Sequence, residues 1–172
     1  MSNMKFSCVF LMLFLVLISG CNGGGSDTDS AASIRGIAAA GAPIVGTVNI
    51  RGANGKTSDN EINADGTYRV DVSALTAPFL IWAEGTANGN NVKLYTTVDT
   101  AKKNANITPA TNLVLTMALG QDPAAVYKND PDAEVPDSSE IVSAEKQVQA
   151  LLSRVFDSLG MPEDFNLMKG MP

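Results

Sequence analysis

Eighteen Asp and Glu residues, two Cys and no His are the side chains from which this 172-residue sequence could build a reactive or ligating site. Without an imidazole there is no Ser-His-Asp or Cys-His relay, and the commonest zinc ligand sets are also excluded. Ser and Thr are plentiful, but none stands in a Gly-x-Ser-x-Gly elbow. Glycosidase chemistry needs two acids framing one cleft. Glu84, beside an apolar run, and Asp71, on the outward side of another stretch, are the acids nearest a core, and no spacing pairs them. Asn63 and Asp65 resemble a fragment of a calcium loop but lack its regular carboxylate spacing and distal Glu, so a hairpin turn is expected there. Asp130, Asp132, Glu134 and Asp137 could hold calcium weakly, yet with Pro131 and Pro136 among them they read better as a solvated, extended spacer. Trp82 lies inside the apolar run, where packing outweighs ligand stacking. No metal or cofactor is expected. The formal charge of -6 excludes a basic nucleic-acid footprint, and an aromatic content of 6% is low for a carbohydrate-stacking surface.

The cysteines carry the sharper signal. Met1 to Lys5 hold one positive charge, and an unbroken apolar run follows from Phe6 to Ile18. As a helix that run would extend about 20 Å, short of the roughly 30 Å hydrocarbon core, so it reads as an export signal rather than a span. Ile18-Ser19-Gly20-Cys21 then resembles the lipobox of bacterial prolipoproteins. The resemblance implies cleavage between Gly20 and Cys21, a diacylglyceryl thioether on Cys21 and an acylated amino group. Several acyl chains at about 0.8 kcal/mol per buried CH₂ would hold the protein on a membrane. Asn22, where an Asp would favour inner-membrane retention in enteric-type sorting, points to the outer membrane. Cys8 would leave with the signal, so no intramolecular disulfide is expected. An ordinary secretory signal and a single-pass anchor are the alternatives.

Positioning elements follow from patterning. Residues 1–20 are the signal peptide. Residues 21–33, rich in Gly, Ser, Asp and Ala, are a flexible tether. Residues 34–107 show short strands between turns. Ile34 to Ala40 is weak and is broken by Gly41-Ala42-Pro43. Val45 to Ile50 places Val48 and Ile50 opposite Asn49 and Arg51. Ala53-Asn54-Gly55-Lys56 and Asn63-Ala64-Asp65-Gly66 are turns. Tyr68, Val70 and Val72 alternate with Thr67, Arg69 and Asp71. Phe79 to Ala83 is a buried central strand, and Val92 to Val98 returns with Val92, Leu94 and Thr96 inward. This pattern predicts an antiparallel β-sandwich.

The period then becomes helical. Thr108-Pro109 starts a segment at 108–127, striped by Leu113 and Met117 with Val114 and Leu115 beside them, and Asp122-Pro123 opens a further turn. Residues 128–138 are the acidic linker. In 139–172, Asp137 and Glu140 form a capping box. Ile141, Val148, Leu151, Leu152, Val155, Phe156 and Leu159 make one stripe, and Gly160 and Pro162 end it. That helix could dock on the sandwich, on a further domain or on a partner. Phe165, Leu167, Met168 and Met171 follow with no evident partner, leaving open whether the chain continues past Pro172.

Gly41-Ala42-Pro43-Ile44-Val45-Gly46-Thr47-Val48, Asp65-Gly66-Thr67-Tyr68 and Leu75-Thr76-Ala77-Pro78-Phe79-Leu80 together resemble the carboxypeptidase-regulatory-like, or transthyretin-like, β-sandwich of exported bacterial proteins. Asn106-Ile107-Thr108-Pro109-Ala110-Thr111-Asn112-Leu113 is similar to a segment that follows such domains in proteobacterial lipoproteins. The resemblance implies a mainly β, Ig-like sandwich with a helical C-terminal extension, acting as a non-catalytic accessory or adhesive module. Some related collagen-adhesin domains carry a Lys–Asn isopeptide bond, but the first strand here offers Arg35 and no Lys, so that bond is not carried over. The expectation is a lipid-anchored cell-envelope module with a binding or structural role, toward an envelope protein or polysaccharide. The alternative is the N-terminal accessory domain of a longer exported hydrolase.

Overall fold

The computed structural model describes residues 32–101, 103–162 and 165–168. Six strands and three helices follow one another: β1 (Ser33–Ile37), β2 (Val45–Gly52), β3 (Thr57–Glu61), β4 (Thr67–Asp71), β5 (Phe79–Ala87), β6 (Asn90–Val98), α1 (Pro109–Leu119), α2 (Pro123–Asn129) and α3 (Ser138–Ser158). The strands form a two-stranded sheet, β1-β4, and a four-stranded sheet ordered β3-β2-β5-β6, with every ladder antiparallel. The fold is thus mainly antiparallel β, sandwich-like, with three helices after the strands.

Alternation along each strand divides the four-stranded sheet into two faces. Val48, Ile50, Phe79, Ile81 and Ala83 point toward Ile34, Tyr68 and Val70 of the small sheet and form the larger core. Phe79 to Ala83 is apolar on every residue because both faces are covered: Leu80 and Trp82 point the other way, into a second core with Tyr95, Leu115, Tyr127 and Val135. The helices therefore form a third layer. α1 and α2 lie on β6, and α3 packs on α1 rather than on the sheet.

Several expectations require correction. β3 carries the sequence Thr-Ser-Asp-Asn-Glu and pairs with β2 along the sheet edge; its side chains are largely exposed, so no apolar alternation marks it. The stretch 128–138 keeps its four acids exposed, as expected of a solvated spacer, but it is also docked on the fold. Val135 is buried, Arg51 donates to the Ala133 carbonyl at 2.8 Å, and Arg51 approaches Asp132 at 3.8 Å. On α1 the buried residues are Thr111, Val114 and Leu115, whereas Leu113 is at the surface. On α3 only Ile141, Val148, Leu152 and Phe156 of the expected stripe face the core; Leu151, Val155 and Leu159 are exposed. The described part of the tail does find a partner, with Leu167 buried between α1 and α3 and Phe165 meeting Phe156 edge-on at 6.5 Å; Met171 lies outside the described residues.

Candidate functional site

A cleft of about 210 Å³ opens where the end of β6, the loop after it, the first turns of α3 and residues 166–168 converge. Pro78, Val98, Ile141, Val142 and Met168 supply apolar walls, and Thr97, Asp99, Lys103, Asp137 and Glu145 supply polar groups. Each polar group is held from behind. Thr97 Oγ1 donates to the Phe79 carbonyl at 2.9 Å, tying β6 to the start of β5. Lys103 Nζ donates to Asp99 Oδ1 at 2.6 Å, and this ammonium holds the Asp99 carboxyl below its ordinary range.

Asp137 caps α3. Its Oδ1 accepts from Ser139 Oγ at 2.6 Å, from the Ser139 amide at 2.7 Å and from the Glu140 amide at 2.9 Å, while Glu140 Oε2 accepts from the Asp137 amide at 2.8 Å. The Ser139 hydroxyl, with these amides, depresses the Asp137 pKa from its ordinary 3.8. A depressed carboxylate pKa stabilises the fold above the unfolded value, and that contribution is lost as pH falls from about 3.8 through the folded value. Far-ultraviolet circular dichroism should therefore show α3 losing helicity at the acid end of this window. Asp137→Asn, which still caps, should flatten that acid dependence while leaving neutral helicity near wild type.

Glu145 is the deepest charged group of the cleft. It is 7% exposed; Oε1 accepts from the Leu167 amide at 2.7 Å and Oε2 from Asn166 Nδ2 at 3.3 Å. No cation among the described residues pairs with it.

No family model, curated protein or solved structure matches this chain. The site therefore rests on its own geometry.

Gly20 and Cys21, the expected cleavage and lipid-attachment residues, lie outside the described residues. Among the described residues no group of three or more Cys, Asp or Glu is placed to hold a metal, and no helix is long and apolar enough to cross a membrane. Asp65 Oδ1 accepts from the Thr67 amide at 2.9 Å and the Thr67 hydroxyl at 2.6 Å, the geometry of a turn. Asp71 and Glu84 sit in different sheets. Asp71 accepts from the Ser73 amide, and Glu84 pairs with Lys93 at 2.8 Å. The four linker acids disperse: Asp130 accepts from the Asp132 amide, Asp132 faces Arg51, the Glu134 carbonyl takes the Tyr127 hydroxyl, and Asp137 caps α3.

Trp82 heads an aromatic ladder, 6.3 Å from Tyr95, which is 6.0 Å from Tyr127; Lys93 lies over Trp82 and Tyr95, and Arg51 lies over Tyr127. Burial pushes the Tyr127 hydroxyl up to about 12. The rings face one another inside the layer between sheet and helices, so Trp82 belongs to packing as expected.

Sequence reasoning missed Thr97, Asp99, Lys103 and Glu145 as neighbours. One signal was present. Glu145 lies four residues after Ile141 and three before Val148, so a carboxylate interrupts the apolar stripe of α3.

Proposed function

We propose that this chain is a lipid-anchored, non-catalytic module of the bacterial cell envelope, built on a transthyretin-like sandwich, with a binding or structural role toward an envelope protein or polysaccharide. The observation that carries it is the order of the N-terminal residues: one charge, an apolar run too short to span, Ile18-Ser19-Gly20-Cys21, then a Gly- and Ser-rich tether. The described fold suits that role, because its strands and helices bury three apolar clusters. Asn22 favours the outer membrane.

The test is intact mass and membrane partitioning of the natively expressed protein beside Cys21→Ser. Acyl mass and membrane retention in the wild type, both lost in Cys21→Ser, are expected. Unchanged mass and partitioning in Cys21→Ser would overturn the anchor.

The accessory-domain reading keeps one supporting observation. Leu151, Val155 and Leu159 form an exposed apolar row on α3, of the kind a following domain would cover. A reading frame that continues beyond Pro172 into a domain with paired acids or histidines would favour it.

A further inference from the structure

We propose that the cleft at the N-terminal half of α3 binds a compact aliphatic ammonium, with its hydrocarbon against Val98, Ile141 and Met168 and its charged nitrogen on Glu145. This deepens the binding role proposed above and rests on it, but it does not depend on the lipid anchor.

Size sets the first limit. A dry cavity of about 150 Å³ accepts a benzene-sized guest, so the 210 Å³ here admits a molecule of that order, open to solvent on one side. Charge sets the second. A carboxylate offers about four lone-pair positions, and Glu145 uses two, on the Leu167 amide and the Asn166 side chain. It is buried with no cation paired to it among the described residues, a state that a positively charged ligand relieves and that an anion worsens. The rim points the same way. Lys103 is engaged by Asp99, and the Ser139 and Glu140 amides at the start of α3 are engaged by Asp137. Among the described residues no further cationic side chain lines the cleft to receive an anion, although Lys103 and a helix N-terminus both lie near.

A neutral apolar guest would fit the walls equally well but would leave Glu145 uncompensated. An ammonium gains a charge-assisted hydrogen bond in a partly dehydrated setting. The discriminating quantity is therefore the difference between butylammonium and butan-1-ol, which share a hydrocarbon chain.

The experiment titrates ¹⁵N-labelled full chain, held in a non-ionic detergent, with butylammonium chloride and follows the Leu167 and Asn166 amide signals. Saturable shifts with a Kd of about 1 mM are expected for a ligand this small. Butan-1-ol should bind about tenfold more weakly, and butyrate should not shift these signals. Glu145→Gln keeps an oxygen for the Leu167 amide and should weaken butylammonium binding by about tenfold. Val142→Trp, at a half-exposed wall position, should block binding without touching Glu145. Butylammonium leaving both amides unmoved would overturn the proposal, as would equal affinity for butan-1-ol or undiminished binding in Glu145→Gln. Because acyl mass and partitioning are read separately, failure here leaves the anchor result standing, and loss of the anchor leaves this titration standing.

Discussion

Alanine at Gly85 is expected to destabilise the fold by about 3 kcal/mol, the upper part of the range for forcing a group into packed space. Gly85 on β5 is the register partner of Gly46 on β2. A Cβ at Gly85 would stand 2.2 Å from the Val45 carbonyl oxygen and 2.8 Å from the Gly46 Cα; one at Gly46 would stand 2.1 Å from the Glu84 carbonyl oxygen. Those neighbours are backbone, so no side chain can swing away. The β2–β5 ladder itself must open, and it is the central ladder of the larger sheet. Gly55→Ala is the matched comparison. Gly55 has φ +73 and nothing within 4 Å of the added carbon, so only the left-handed backbone preference is lost, about 1 kcal/mol. Chemical denaturation of the two variants separates close approach from turn conformation. Equal losses at Gly85 and Gly55 would mean the strands do not pack as tightly as this geometry requires.

The legible parts of the fold share a property: local chemistry and tertiary environment ask for the same thing. Tyr68, Val70 and Val72 alternate because one face of β4 is buried and the other is not. Asp65-Gly66 reads as a turn because both its hydrogen bonds and its positive φ are local. Thr108 and Asp137 read as caps for the same reason, each closing a box within three residues. Illegible features depend on what lies across space. β3 is held by its ladder to β2, and five polar residues carry no trace of that. The acidic linker docks because Arg51, distant in sequence, reaches its backbone and Tyr127 together.

The stripe of α3 shows both cases in one helix. Its 21 residues extend about 30 Å, but α1 offers only 11 residues, about 16 Å, as a partner. Periodicity reports an apolar face without reporting how much of it is covered. Leu151, 71% exposed, is past that cover on one side, while Phe156 is met by the returning tail. The cleft was illegible for the same reason. Its groups come from β6, the following loop, α3 and the tail, and only the misplaced polarity of Glu145 within the stripe hints at it.

Leu115→Ala is expected to lower stability by about 3 kcal/mol and to do so for strands and helices together. Leu115 is 0% exposed and shares the second core with Leu80 of β5, Tyr95 of β6, Tyr127 of α2 and Val135 of the docked linker. Truncating a buried leucine removes its transfer energy and leaves a cavity that these neighbours fill only partly, about 2–5 kcal/mol in total. Leu113→Ala, two residues away on the surface of the same helix at 36% exposure, should change stability by less than about 1 kcal/mol. Native-state hydrogen exchange distinguishes how the loss is shared. If the helices were an appendage to the sandwich, Leu115→Ala would release α1 and α2 while the amides of β2 and β5 kept wild-type protection. The shared core predicts the reverse: protection in β5 and β6 falls with that in α1, because Leu80 and Tyr95 lose the same covering side chain. Tyr95 is also held from the helix by its backbone, whose amide donates to Asn112 Oδ1 at 2.9 Å, so loosening α1 exposes the middle of this edge strand. The boundary between strands and helices at residue 107 is then a change of period in the chain, not a division in the folded unit.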